Sequence, residues 1–417
     1  MAASLVRTIL PPLFHAPPPS LSPIFRQSWR RSVLREGAVV ISDGAENITI
    51  ESSTFWRLGG NGIVLSGHAR HCSIASSEFA FLGESAIVSV GRATLWDGTR
   101  PTYPEGNLIE GNHIHGIGVW GKQTAGYVQF LTANTTVRSN VIHDVPRAAI
   151  SLNDNFGGGN MVDHNVIFNT CRETADHGPL NSWSRMGYVT KATGVASLAV
   201  RWTTIAHNLV VVGWSGGANA EANQRIFPLD YDDGSDHIHS VSNVLLYGGF
   251  KACWRSNSQT YVDNLIVYPS GNSCASCWAG EPSPTSTAAT GKVPWGKNES
   301  MTSNHCIAPE LWRGPIISPM ASWCNASSGA NLNNTAMWSA NNSYYCDGCG
   351  SSASTRSPSA SHRGLLFQCG ATKYNLSQWQ ALWASVGVAG GGEAGSRALP
   401  LPPTETIAAM ARSRILM

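Results

Sequence analysis

A repeat without gaps constrains this chain more than any other feature. Ser53-Thr54-Phe55-Trp56-Arg57-Leu58-Gly59-Gly60-Asn61-Gly62-Ile63-Val64-Leu65-Ser66-Gly67 is answered by Ser77-Glu78-Phe79-Ala80-Phe81-Leu82-Gly83-Glu84-Ser85-Ala86-Ile87-Val88-Ser89-Val90-Gly91, which begins 24 residues later (position 77 against 53). A period of that size suits one coil of a solenoid. Shorter echoes follow after a loop from Trp96 to Pro104. They are Asn107-Leu108-Ile109-Glu110-Gly111-Asn112-His113-Ile114-His115, Asn140-Val141-Ile142-His143, Asn165-Val166-Ile167-Phe168, Asn208-Leu209-Val210-Val211, Asn243-Val244-Leu245-Leu246 and Asn264-Leu265-Ile266-Val267. Each apolar run is too short for a helix and alternates roughly in and out.

One coil of this kind cannot bury its apolar face, whereas stacked coils share a continuous core with strands about 4.8 Å apart. The expected fold is therefore all-β, a right-handed single-stranded parallel β-helix solenoid with a Cys-rich C-terminal extension. Composition agrees. Only 13% of the 417 residues are charged and 42 are Gly, which disfavours long amphipathic helices and favours many short strands joined by turns. The recurring Asn reads as a turn residue that tolerates the left-handed region and bonds the next coil through its amide. His113, His115, His143, His164 and His207 flank these bends and read as turn residues. His113 and His115 share one side of a strand, with no third metal ligand evident at a suitable spacing.

The expected organisation is a leader or poorly ordered segment (1–37), a β-helix domain (38–270), a Cys-rich, loop-rich continuation (271–395) and a linker with a short helix (396–417). Within these, Leu376 to Trp383 reads as a short helix or a final coil. Gly387 to Pro403 reads as a Gly/Pro linker, and Thr404 to Ile415 as a helix capped by Thr404. The leader is Arg-rich and lacks acids before Glu36, and its apolar run from Leu5 to Phe14 is interrupted by Arg7, Pro11 and Pro12. It is not a clean signal peptide, and it shares features with transit peptides.

Seven of the ten cysteines lie late, at Cys274, Cys277, Cys306, Cys324, Cys346, Cys349 and Cys369. The two CxxC pairs, Cys274/Cys277 and Cys346/Cys349, could supply a zinc site. Disulfides are the favoured alternative, because sequons recur at Asn47, Asn134, Asn298, Asn325, Asn333, Asn341 and Asn375. Secretion follows as an expectation. The formal charge of +2 offers no electrostatic case for nucleic acid, and no apolar stretch is long enough to span a membrane.

The chemistry concentrates between Asn140 and Ser235. Aligning Ile150, Leu180 and Leu229 as inward anchors leaves two outward columns, since strand side chains alternate between faces. Ser151, Asn181 and Asp230 form one; Asn153, Trp183 and Asp232 form the next. Gln129 is expected to extend the first column one coil earlier, and Lys251 one coil later. Arg147, Arg172, Glu173, Asp176 and His177 precede the strands.

Such a stripe suits a polysaccharide. A Trp covers a sugar's apolar face, amides bond hydroxyls, and Arg or Lys holds acidic groups. Two carboxylates on it can cut a glycosidic bond, by a route that depends on their separation. Asp230, Asp232, Asp176 and His177 are the catalytic candidates. Arg172, Glu173, Asn181, Trp183, Arg185, Asp233 and Lys251 are the substrate-binding candidates. A lyase would instead use Lys251 or Arg185 with calcium at Asp232 and Asp233. The hydrolase reading requires no cofactor, and a monomer is expected. Other readings remain open for the same residues. Asp232-Asp233-Gly234-Ser235 is also a good turn, Arg172 and Glu173 also suit surface ion pairs, and the whole face also suits non-catalytic glycan binding.

The runs Arg147 to Asn160, Phe168 to Trp183 and Asp230 to Ser235 resemble right-handed β-helix proteins of the pectate-lyase-like superfamily, in a subgroup associated with algae and other eukaryotes. The resemblance covers about residues 38–270 and the stretch Leu376 to Ala381. It implies the fold and a carbohydrate-related role among lyases, hydrolases, epimerases and non-catalytic adhesins. Tyr231 departs from the usual polar residue before Asp-Asp-Gly-Ser, and Ser184 stands where an acid is expected before Arg185.

Overall fold

The computed structural model describes residues 37–42, 44–91, 103–154, 158–174, 177–183, 201–212, 226–232, 235–252, 257–269, 274–277, 299–308, 337–346, 367–369, 372–385 and 393–417. Among them the chain winds as a right-handed parallel β-helix. Successive coils contribute strands to three parallel sheets, which hold nine, ten and eleven strands. Sheet 1 runs from Gly37–Ile41 to Ala275–Cys277, sheet 2 from Thr49–Glu51 to Met337–Ala340, and sheet 3 from Thr54–Trp56 to Arg397–Pro400. The gapless repeat becomes strand register. Phe55 pairs with Phe79 in sheet 3 and Ile63 with Ile87 in sheet 1, each one coil apart.

The core is built of side-chain stacks. In sheet 1, Ile63, Ile87, Tyr127, Ile150, Leu180, Leu229 and Phe250 succeed one another in register, all fully or almost fully buried. Ile74, Ile109, Val137, Val162 and Ile205 do the same in sheet 2. Phe79, Ile114, Ile142, Ile167, Val210, Leu245 and Ile266 do so in sheet 3. Each addition removes apolar area from water at about 25 cal/mol per Å².

The Asn residues form a buried ladder. The backbone N–H groups of Asn112, Asn140, Asn165, Asn208, Asn243, Asn264 and Asn304 each donate to the Oδ1 of the Asn one coil on, at 2.8–3.1 Å. Their Nδ2 groups reach back to carbonyls of the preceding coil, as Asn208 does to Val162. The left-handed residue at each bend is not the Asn but its predecessor, namely Ser139, His164, His207, Ser242, Asp263 and Ser303. The Asn is selected for its amide, and the residue before it bears the positive φ. At the C-terminal end, buried Glu393 accepts from Asn342, Ser339, Ser396 and Tyr344 and closes the ladder. Desolvation raises its carboxyl above the usual range, and its hydrogen-bond donors oppose that rise.

The solenoid persists beyond Pro269, and strand Arg397–Pro400 lies inside the stretch that composition suggested was linker. Residues 376–385 are helical, and the backbone N–H groups of Asn375 and Gln378 exchange hydrogen bonds with each other's side chains as a capping box. The last helix, Thr404–Ile415, is preceded by Pro403 at the cap position with no side-chain cap, so Thr404 is its first residue and not its cap. That helix docks by Arg414, whose guanidinium bonds the Asp263 carbonyl and carboxylate. Cys274 is joined to Cys306 and Cys346 is also in a disulfide, which removes the four-thiolate zinc alternative. Asn375 is buried and engaged, so its sequon does not present an accessible amide.

Candidate functional site

The two outward columns of sheet 1 form as the alternation predicts. Ser151 pairs with Asn181, Asn181 with Asp230, and Asp230 with Lys251. Asn153 pairs with Trp183, and Asp232 follows one rung on, its N–H donating to the Ser182 carbonyl. Gln129 is the exception. Val128, not Gln129, lies opposite Ser151, and Gln129 points into the core, where its Oε1 accepts from the Tyr127 hydroxyl. The alignment was one residue out at that coil, and a one-residue change moves a side chain to the other face.

At the centre, the Lys251 ammonium sits 2.9 Å from Asp230 Oδ1 and 3.0 Å from Asp232 Oδ1. Burial depresses the lysine, but the two carboxylates more than offset it and hold its pKa above the ordinary value. Asp230 is only 2% exposed, whereas the Asp232 side chain is 28% exposed. The pair therefore presents one carboxylate to the surface and one beneath it. The two Oδ1 atoms cannot be farther apart than the two contacts laid end to end. That distance falls short of the roughly 6.5–9.5 Å of inverting glycosidase pairs and is compatible with the roughly 5–5.5 Å of retaining ones.

The turn before strand Leu180–Trp183 packs against this centre. A Cβ on Gly178 would lie 1.9 Å from the Phe227 carbonyl oxygen and 2.8 Å from Asp230 Cβ, so this position admits no side chain. His177 is buried, with Nε2 2.6 Å from the Thr174 hydroxyl. Cys171 is buried below the same turn; burial and then the Asp230 charge push its thiol up to about 12, so it is inert as a nucleophile at neutral pH. Nothing in the local sequence marks Cys171 and Gly178 as neighbours of Asp230. Only the coil register brings them there.

Tyr231 faces inward, its hydroxyl 2.7 Å from that of Ser240, so the departure from the usual polar residue is a core contact. Arg172 and Glu173 lie on the surface outside the column. Arg172 is 3.7 Å from Asp144, and Glu173 is 2.8 Å from Lys122. Asp176, Arg185 and Asp233 fall outside the described residues. Of the two residues suggested for calcium, Asp232 is described, and its Oδ1 faces the Lys251 ammonium.

A family model described as "Right handed beta helix region" matches residues 36–225. That part of the chain is a right-handed β-helix region. Ser151, Asn181 and Trp183 lie inside the matched span, while Asp230, Asp232 and Lys251 lie beyond it, on strands that continue the same sheet. No curated protein matches the chain. Among solved structures, the β-helix is similar to one titled "Glycoside hydrolase", at 15% identity and a TM-score of 0.41, over 59% of this chain and 38% of that one. It is also similar to the tailspike protein of E. coli bacteriophage HK620 in complex with pentasaccharide, at 11% identity and 0.39, over 76% and 50%. A third is the A-module of Azotobacter vinelandii mannuronan C-5 epimerase AlgE4, at 12% identity and 0.38, over 75% and 82%. The chain thus spans well under two thirds of the first two.

Proposed function

We propose that this β-helix acts on a polysaccharide as a glycoside hydrolase, with its working centre on the outer face of sheet 1. The observation that carries the reading is the single ammonium held between two carboxylates at the middle of a polar column. Asp232 is the carboxylate that reaches the polymer and serves as nucleophile or base. Asp230 is too deeply buried to touch a sugar and anchors Lys251 instead. Lys251 pairs with Asp232 and holds an acidic or hydroxyl group of the substrate. Trp183 extends the subsite along the column, and the buried Asn181 and Asn153 support it from beneath. Asp176 and Asp233 are the candidates for the proton donor that the leaving oxygen needs. His177 supports the turn beside Asp230.

The raised lysine argues against Lys251 as the base of a lyase, because a base must be neutral to accept a proton. One further reading is a non-catalytic glycan-binding face, in which Trp183 and the partly exposed Asp232 meet the polymer and the buried Ser151, Asn153 and Asn181 support them from beneath. Disulfides at Cys274, Cys306 and Cys346 support a location in an oxidising compartment, with secretion as the reading. Among the described residues no helix is long and apolar enough to cross a membrane.

The test is a screen on algal and plant cell-wall polysaccharides, with and without calcium, following reducing ends and unsaturated uronates together. New reducing ends without unsaturation, abolished in Asp232→Asn, are expected. Unsaturated products would move the assignment to a lyase. Retention on one polysaccharide with no product would leave a binding solenoid.

A further inference from the structure

The outer face of sheet 3 carries a cluster unrelated to the sheet 1 column. The sequence offers His113 and His115 on one strand without a third partner. Parallel stacking supplies partners from both neighbouring coils. Glu78 lies in register with His113, one coil before, and His143 lies in register with His115, one coil after. His113 Nε2 is 2.9 Å from His143 Nε2, and His115 Nε2 is 3.2 Å from Glu78 Oε1. One ligand atom each from Glu78, His113 and His115 lie within 4.8 Å of one another.

We propose that Glu78, His113, His115 and His143 form a binding site for a divalent transition-metal ion of the zinc class, which pins three successive coils together. At Zn–N distances near 2.0–2.1 Å, two ligand atoms on a tetrahedral ion lie about 3.3 Å apart. Glu78, His113 and His115 are already close to that spacing, and His143, whose Nε2 now meets His113 alone, turns toward the shared ion to complete the set. Imidazole with one carboxylate is a donor set suited to zinc, nickel or copper and poor for calcium or magnesium.

The surroundings are those of a metal-binding histidine. His143 Nδ1 is 2.8 Å from Asp144 Oδ2. A carboxylate there accepts the Nδ1 proton, which leaves the Nε2 lone pair directed at His113. Such an outer carboxylate orients a ligating imidazole and raises its basicity. Phe168 stacks on the His143 ring at 4.6 Å and restricts its rotation. His113 is exposed, so an ion has a route in from solvent. The bland alternative is a stack of imidazoles without an ion, since His115 and His143 lie face to face at 5.2 Å. Stacking alone does not require a carboxylate at Asp144 or at Glu78.

The test uses the full chain stripped with a chelator and then titrated with Co²⁺ and with Zn²⁺. Heat and visible absorption are followed, and far-UV circular dichroism confirms folding. The expected result is one equivalent of Co²⁺ with ligand-field bands, displaced by Zn²⁺, and a higher thermal midpoint when Zn²⁺ is present. His113→Asn and His143→Asn should abolish the bands. Asp144→Asn, which keeps all four ligands, should weaken binding about 10- to 100-fold. His68→Asn, in the bend after strand Asn61–Ser66, should leave the bands and the stoichiometry unchanged. Absence of a bound equivalent in the unmodified protein would overturn the proposal. So would bands that survive in both His113→Asn and His143→Asn.

Discussion

Replacing Lys251 by Met tests the centre of sheet 1 directly, because it keeps the length of the side chain and removes the charge. The ammonium makes contacts of 2.9 Å and 3.0 Å with two carboxylates. At an effective dielectric of about 20, each contact is worth roughly 5–6 kcal/mol before desolvation. Desolvation of the three groups offsets most of that. Removing only the cation leaves Asp230 and Asp232 facing each other with the desolvation cost still present, and such losses run at about 3–5 kcal/mol. The variant should therefore lose about that much stability at pH 7, read from urea unfolding followed by tryptophan fluorescence and circular dichroism. The pH dependence distinguishes this mechanism from a packing defect. Without Lys251, buried Asp230 acquires a folded pKa above its unfolded value near 3.9. Its ionisation then destabilises the fold, so the deficit should shrink as pH falls through that raised value. In the unmodified protein Lys251 itself has a raised folded pKa. Its contribution is complete below the unfolded lysine value, about 10.4, and is lost as pH climbs through the folded one. Adding Asp230→Asn to Lys251→Met should recover part of the loss. A deficit below about 1 kcal/mol at pH 7, or one that grows toward acid, would refute the assignment of Lys251 as the cation that holds the two acids.

Asn208→Ala removes a side chain whose Oδ1 accepts from Asn165 and whose Nδ2 serves Val162, Ala206 and Asn243. Several buried groups lose partners at about 1–3 kcal/mol each, so the urea midpoint should fall sharply, while Asn208→Asp should recover only the acceptor half. Cys274→Ser with Cys306→Ser opens a loop of 32 residues, and the chain-entropy model gives a loss of about 3.7 kcal/mol, seen as a lower midpoint that responds less to reductant than the unmodified protein does, the bridge at Cys346 remaining.

The 24-residue repeat and the recurring Asn were enough to specify stacked coils, because a coil with one apolar face has no other way to bury it. Alternation from Ile150, Leu180 and Leu229 was enough to place Ser151, Asn181, Asp230 and Lys251 in one outward column, because strand periodicity admits only two faces. It failed at Gln129, where nothing local distinguishes the two registers. It also misread which residue bears the positive φ, since Asn and its predecessor both suit a bend and only the amide ladder separates them. The strands beyond Pro269 were hidden by long insertions that break the spacing between one coil and the next.

What the tertiary structure alone decided is which residues meet across coils. Glu78 and His143 join His113 and His115, Gly178 lies against Asp230, and a single ammonium bridges Asp230 and Asp232. Those partners are tens of residues apart in the chain. Their proximity depends on the length of each loop between coils, and a local pattern does not encode that sum. Fold and column were written in the period of the sequence, and the neighbours of each side chain were set by the register that stacking imposes.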